Sequence, residues 1–354
     1  MKNKTDFMNK TINKYLLIVF LVFMVIVAAC GKQTVTGKAV QSAKTSQASP
    51  EVTVTIAYLP VIQGLPLYLA IEKGYFKEEG IDVEAIKFDS PNLILQALVS
   101  GQVDFGSPST AAGITAVADY ANPGQLKIYA VGGSAFAESN GTAVNEAIIV
   151  KKNSSIETIA DLKGKKIGIL PSIQWRTITR HMLAQNGLVM DKDYTPVELA
   201  AGLQVQALAA GQVDAVVAIE PVATIARLQG ISKEIAHAAV EQYISDPFYG
   251  GAGVLRIDFA KENPETTAKV LKVFARAIEE INQNPSAARK YLKGYTPLDE
   301  KLSNELPGII FKMYPDFTEK DVQALQQFFD VFAQHKVIGG RVDAKQLVYQ
   351  PSLE

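Results

Sequence analysis

Ten residues occur almost twice in this chain. Residues 95–104 read LQALVSGQVD and residues 205–214 read VQALAAGQVD, 110 residues further on. Gln96, Ala97, Leu98, Gly101, Gln102, Val103 and Asp104 recur as Gln206, Ala207, Leu208, Gly211, Gln212, Val213 and Asp214. A repeated supersecondary unit implies two similar halves. The cleft between such halves is where a small molecule binds. Within the first copy Leu95, Leu98 and Val99 fall at helical spacing. Gly101 then stands where a helix ends in a left-handed residue, and Val103 and Phe105 open a strand. Asp104 and Asp214 read as acids that hold backbone N–H groups at strand starts, in preference to a ligand role.

The N-terminus reads as a targeting segment. Lys2, Lys4, Lys10 and Lys14 precede an unbroken apolar run from Leu16 to Ala29, shorter than the about 20 residues a membrane span needs. The run ends Val27-Ala28-Ala29-Cys30-Gly31. Small residues before a cysteine fit a signal peptidase, and the thiol can carry lipid, so the segment resembles the lipobox of exported lipoproteins. Residues 1–29 are then the signal peptide and Cys30 the lipidation site. Translation can start at Met1 or at Met8, and the rival reading of the segment is an uncleaved anchor. Cys30 is the only cysteine, so the mature domain has neither disulfide nor thiolate chemistry. Residues 30–50 are small and polar without period, a flexible tether reaching about 25 Å on average.

About 300 residues remain, enough to split into two cores. A net charge of −1 argues against a nucleic-acid partner, which would need a basic face. Apolar alternation and helical periods alternate along the chain, which implies an α/β fold with largely parallel sheets. The chain leaves one lobe near Ala143–Ala147 and returns near Ser245–Gly251. Lobe 1 is therefore expected at 51–145 and 251–354, and lobe 2 at 146–250, with a two-crossing hinge. A helix is expected from Ser109 or Thr110, which would cap it, to about Tyr120. The region Ile235 to Val240 reads as extended, and the residues after Leu255 as mostly helical. There Val270, Leu271, Phe274, Ala277, Ile278 and Ile281 share one face, as do Val322, Leu325, Phe328, Phe329 and Phe332.

Three stretches carry a family resemblance: PLYLAIEKGYFKEEGIDVE at 66–84, ALVSGQVDFG at 97–106 and IADLKGKKIGI at 159–169. They are similar to the substrate-binding lipoproteins of ABC importers, in the group that takes nitrate, sulfonates, taurine or thiamine pyrimidine precursors. The resemblance covers residues 52–230 and implies a type II periplasmic-binding-protein fold. Such a protein closes on its solute and hands it to a permease with its ATPase, as a monomer without cofactor or metal. The chain departs from the group at Leu170-Pro171-Ser172-Ile173-Gln174-Trp175-Arg176, where many members have a glycine-serine-threonine loop.

Ligands of open parallel sheets bind beyond the carboxyl ends of strands, where helix N-termini offer unpaired N–H groups. That nominates the loops Pro60–Leu65, Ser107–Thr110, Pro171–Arg176, Ile219–Pro221 and Pro247–Gly250. The candidate ligand-binding residues in them are Gln63, Ser107, Ser109, Thr110, Ser172, Gln174, Trp175, Arg176, Glu220 and Tyr249. Trp175 offers a stacking plate and Arg176 a planar cation. Glu220 can face an amine or ring N–H. Arg176 and the helix N-termini point to a small organic anion such as a sulfonate, or to nitrate. Trp175, Tyr249 and Glu220 point to a heteroaromatic vitamin precursor, and both remain open. Two charge-assisted hydrogen bonds on one lobe give about 3–6 kcal/mol, short of the about 8 that micromolar capture needs. Both lobes must therefore contribute. The rival functions are an enzyme on the same fold (a small dehydratase or a pyrimidine-forming protein) and a ligand-sensing receptor domain. His181, His237 and His335 lack mutual metal-ligand spacing and read as surface or helix-face residues.

Overall fold

β1 (Val52–Tyr58) is the strand that the apolar alternation of Val52, Val54 and Ile56 predicts, and β2 (Ile81–Lys87) runs parallel to it. The computed structural model describes residues 52–134 and 144–351. The signal segment, Cys30 and the tether lie outside the described residues. Among the described residues, no helix is long and apolar enough to cross a membrane. Between β1 and β2 lies α1 (Leu65–Glu72), with Pro66 in its first turn, where its missing N–H is not needed. α2 (Pro91–Val99) leads to β3 (Phe105–Ala111), α3 (Ala112–Ala121) and β4 (Leu126–Ser134).

The chain then moves to a second sheet. β5 (Glu146–Lys151) is followed by β6 (Lys165–Ile169), α4 (Ile173–Gln185) and β7 (Tyr194–Glu198). Next come α5 (Ala201–Ala210), β8 (Ala215–Ile219), α6 (Val222–Leu228) and β9 (Ser232–His237). β10 (Phe248–Arg256) returns to the first sheet, followed by α7 (Pro264–Gln283), β11 (Ile310–Met313) and α8 (Glu319–Gln334). The first sheet has the order β11-β4-β10-β3-β1-β2 and the second β7-β6-β8-β5-β9. Each is mixed: β10 is antiparallel to β3 and β4, and β5 to β8 and β9.

The two copies of the repeat occupy matching places in the two sheets, α2–β3 and α5–β8. Gly101 (φ 77°) and Gly211 (φ 73°) are both left-handed, a conformation that only glycine adopts freely. Asp104 Oδ2 accepts from Thr55 N–H (2.9 Å) and Thr55 Oγ1 (2.7 Å). Asp214 Oδ2 accepts from Lys166 N–H (2.8 Å). Each aspartate thus ties its strand to the neighbouring parallel strand, the structural role the sequence favoured.

All six residues of the predicted α7 face are buried, against α1 and β11. On α8, Leu325, Phe328, Phe329 and Phe332 are buried and Val322 is half-buried. α8 packs on α3 and β10 and also reaches α4. One apolar core runs from Val254 and Phe328 to Ile148 and Val217, so it joins both sheets, and residues 49–354 cohere as one compact unit. The sheets are drawn together here, not held apart.

Three expectations need correction. β3 continues through Ser109 and Thr110 to Ala111, and α3 starts at Ala112 with no side-chain cap. These two residues are held as strand because β10 pairs along them at Thr110 and Ala111. The extended stretch ends at His237, and a short helix begins at Ala239. The C-terminal part contains β11, which its apolar residues form by pairing with the free edge of β4.

Candidate functional site

Five strand ends meet in one place. Val61 and Gln63 follow β1, Ser109 closes β3, Gln174 and Trp175 open α4 after β6, Ile219 ends β8, and Gly250 and Gly251 lie on β10. With Leu59, Pro91, Ala111 and Leu170 they line a cavity of 20 Å³, room for about one water. Every loop nominated from the sequence contributes to it. None of its described lining residues is charged.

The polar groups around this cavity are held in place. Ser109 Oγ accepts from Leu59 N–H (2.9 Å) and shares a hydrogen bond with Ser107 Oγ (2.7 Å). Ser172 caps α4 by accepting from Trp175 N–H (3.0 Å), which fixes the start of the helix carrying Gln174 and Trp175. Gln63 is 6% exposed and its Oε1 has no partner. A buried, unpaired carbonyl costs about 1–3 kcal/mol, so it stands ready for a donor. β10 can pass this point only as glycine: a Cβ on Gly251 would lie 2.4 Å from Pro108 O.

Gln174, 2% exposed, bridges the two sheets. Its Oε1 accepts from Gly113 N–H (2.8 Å), and its Nε2 donates to Gly250 O (2.9 Å). Ser90 Oγ adds a second crossing by donating to Pro171 O (3.2 Å).

The structure does not bring four other candidates to the cavity. Arg176 is exposed and pairs with Asp191 (3.1 Å). It is adjacent to Trp175 on a helix, where neighbours face different directions. Tyr249 donates its hydroxyl to Asp321 Oδ1 (2.5 Å) within the core, because β10 alternates its faces. Thr110 turns toward Gly106, with its Oγ1 unpaired. Ser107 reaches the cavity only through Ser109.

Glu220 lies beside the site but not in it. Both its oxygens accept from Thr224, from the N–H (3.2 Å) and from Oγ1 (3.1 Å). It lines a separate, more open cavity of 420 Å³ with Glu146, Arg227, His237 and Arg289. Burial pushes its carboxyl up to about 7. Glu146 and Glu241 are also buried where the chain passes between sheets, and burial raises both.

Sequence reasoning missed two features. Gly113 and Gly250 are backbone partners, which side-chain types do not reveal. His181, on α4, meets His335, at the end of α8, at 3.1 Å between Nδ1 and Nε2. Burial first, then their mutual contact and Arg180 in the case of His335, holds both below the usual histidine value.

The arrangement, two mixed sheets with strand ends converging on a shared cavity, matches known proteins. The model of the NMT1/THI5-like family matches residues 62–288. The chain belongs to this family. A binding protein of Brucella abortus is 27% identical over 234 residues, 64% of this chain; the match spans 66% of that protein. A Bacillus subtilis protein named for binding aliphatic sulfonates is 26% identical, covering 80% of this chain and 82% of its own length. A Saccharomyces cerevisiae 4-amino-5-hydroxymethyl-2-methylpyrimidine phosphate synthase is 25% identical, covering 72% of this chain and 73% of its own. Among solved structures, the periplasmic aliphatic sulphonate binding protein SsuA of Escherichia coli superposes with a TM-score of 0.66 at 23% identity, covering 86% of this chain and 93% of SsuA. The periplasmic nitrate-binding protein NrtA of Synechocystis gives 0.66 at 17% identity, covering 84% and 85%. The fold is that of the periplasmic binding proteins.

Proposed function

We propose that this protein is the extracytoplasmic solute receptor of an ABC importer, lipid-anchored through Cys30, which captures a small molecule between its two lobes (51–145 with 251–354, and 146–250) and delivers it unchanged to a permease. The observation that carries this reading is the convergence of five strand-end loops, from both sheets, on one cavity. The names of the Bacillus, Escherichia and Synechocystis proteins agree with it.

The lining favours one of the two solute classes left open by the sequence. An anion buried without a counter-charge pays a desolvation cost of several kcal/mol, and no described lining residue is basic. Arg176, the cation expected to serve a sulfonate or nitrate, is committed to Asp191 outside the cavity. Trp175 with Leu59, Val61, Leu170 and Ile219 forms an apolar wall suited to a flat ring, and Gln63 Oε1 awaits a donor. The solute is therefore an uncharged, planar heteroaromatic compound. The name of the yeast relatives favours a second reading, a pyrimidine-forming enzyme. That reading needs an ionisable group at the solute, and Glu220, buried next to the lining residue Ile219, is turned to Thr224.

Calorimetry of the full chain against nitrate, an alkanesulfonate and a panel of heteroaromatic amines tests the assignment. One heteroaromatic compound should bind with 1:1 stoichiometry, and Trp175→Ala should weaken it 10-fold or more. Tight sulfonate binding that Arg176→Ala abolishes would overturn it.

A further inference from the structure

The cleft is already occupied by part of the protein. The Gln174 carboxamide sits on the N-terminus of α3, at the N–H of its second residue, and on the carbonyl of Gly250. α3 has no side-chain cap of its own, and the N–H of Gly113 in its first turn is met instead by Gln174. The same cavity contains Gln63 Oε1, buried and unpartnered. A site with one satisfied donor, one satisfied acceptor and one waiting acceptor has the pattern of a binding site partly filled from within.

We propose that Gln174 is an internal ligand of the cleft, which bridges the sheets in the absence of solute, and that the solute displacing it carries a carboxamide-like edge, an acceptor beside a donor. This rests on the receptor reading above and narrows its solute class. Gly113 N–H requires an acceptor and Gly250 O requires a donor. Amides, ureas and ring nitrogens flanked by an amino group present both. A sulfonate, a carboxylate or nitrate presents acceptors only, and would leave Gly250 O facing an oxygen. A cavity of 20 Å³ admits no such molecule while Gln174 is inside, so entry of solute and exit of Gln174 are one event. The solute inherits the two bonds that draw the sheets together and adds a third, to Gln63. Gln174 thereby sets a threshold: a molecule that cannot reproduce both of its bonds does not displace it.

Exposed Lys87, at the end of β2, and Glu198, at the end of β7, lie on the outer edges of the two sheets. Spin labels at Lys87→Cys and Glu198→Cys, in the full chain with Cys30→Ser, report the distance across the cleft. Without solute, the wild-type cleft should give one short distance. Gln174→Ala should shift the closed-to-open ratio toward open, by roughly 5- to 150-fold for two lost hydrogen bonds. Gln174→Glu should be closed at low pH, where the protonated acid offers the same acceptor and donor, and open at high pH. Acetamide added to Gln174→Ala should restore the short distance, and acetate should not. An unchanged distance in Gln174→Ala, a pH-independent Gln174→Glu, or rescue by acetate as good as by acetamide would each overturn the proposal. If those results came with 1:1 solute binding by calorimetry, the receptor reading would stand and only the Gln174 role would fall. Calorimetry that finds no solute bound by the wild-type chain would remove both.

Discussion

Glu220 allows a stability prediction with a definite sign. Its carboxyl is 6% exposed, and burial raises it from an ordinary 4.5 to about 7. Between these values the folded chain keeps a proton that the unfolded chain releases. The stabilisation is full below pH 4.5 and is lost as pH rises through about 7. The difference corresponds to about 3 kcal/mol, because an ionised Glu220 has Thr224 as partner but is removed from water. Replacing it by glutamine keeps the shape and the bond from Thr224 N–H and removes the charge. Glu220→Gln should therefore be more stable than wild type by about 2–3 kcal/mol at pH 8 and about equal to it below pH 4.5. The check is urea unfolding of both proteins from pH 4 to 8. Glu146 and Glu241 are raised by the same burial, and the Glu220 charge adds to the rise of Glu146, so the difference reports Glu220 together with its effect on Glu146. A stability difference that does not grow with pH would refute the reasoning. A loss of stability at pH 8 would show that Glu220 is ionised and paired with a cation instead.

Three further outcomes follow from the contacts. Asp104→Ala, which loses two bonds to Thr55, should cost about 3 kcal/mol by urea unfolding, and Asp214→Ala, which loses one exposed bond, about 1; solute affinity lost with stability intact would make Asp104 a ligand. His181 and His335 are held neutral, so their contribution to stability is present above about 6.5 and falls as pH drops below it; His335→Ala should flatten thermal stability between pH 5 and 7, and an unaltered profile would remove the pair from the account. Tyr249→Phe should destabilise by about 1–3 kcal/mol through Asp321 and leave solute affinity unchanged in a titration, whereas lost affinity at full stability would place Tyr249 at the solute.

The parts that could be read from the sequence are those with local causes. The repeat is legible because Gly101 and Gly211 must be left-handed and because the two helices bury the same spacing of apolar residues. The cleft is legible as loops, since ligands of such sheets gather at strand ends. The side chains within those loops are less so. Trp175 and Arg176 adjoin in sequence, and the helix sends neighbours in different directions. Ser109 looks like a helix cap until β10 pairs beside it. Gln174 reaches across to Gly113 and Gly250, and His181 to His335, 154 residues away. Local spacing carries no trace of such contacts.

The central claim is that the cleft between the sheets takes a solute and returns it chemically intact. Mass spectrometry of the small molecule released by denaturing the loaded full chain tests it most directly, after incubation for many hours with a single identified solute. The account predicts one molecule per chain at the mass supplied, and clearly less retained by Trp175→Ala. A released molecule of different mass, or retention undiminished in Trp175→Ala, would contradict it.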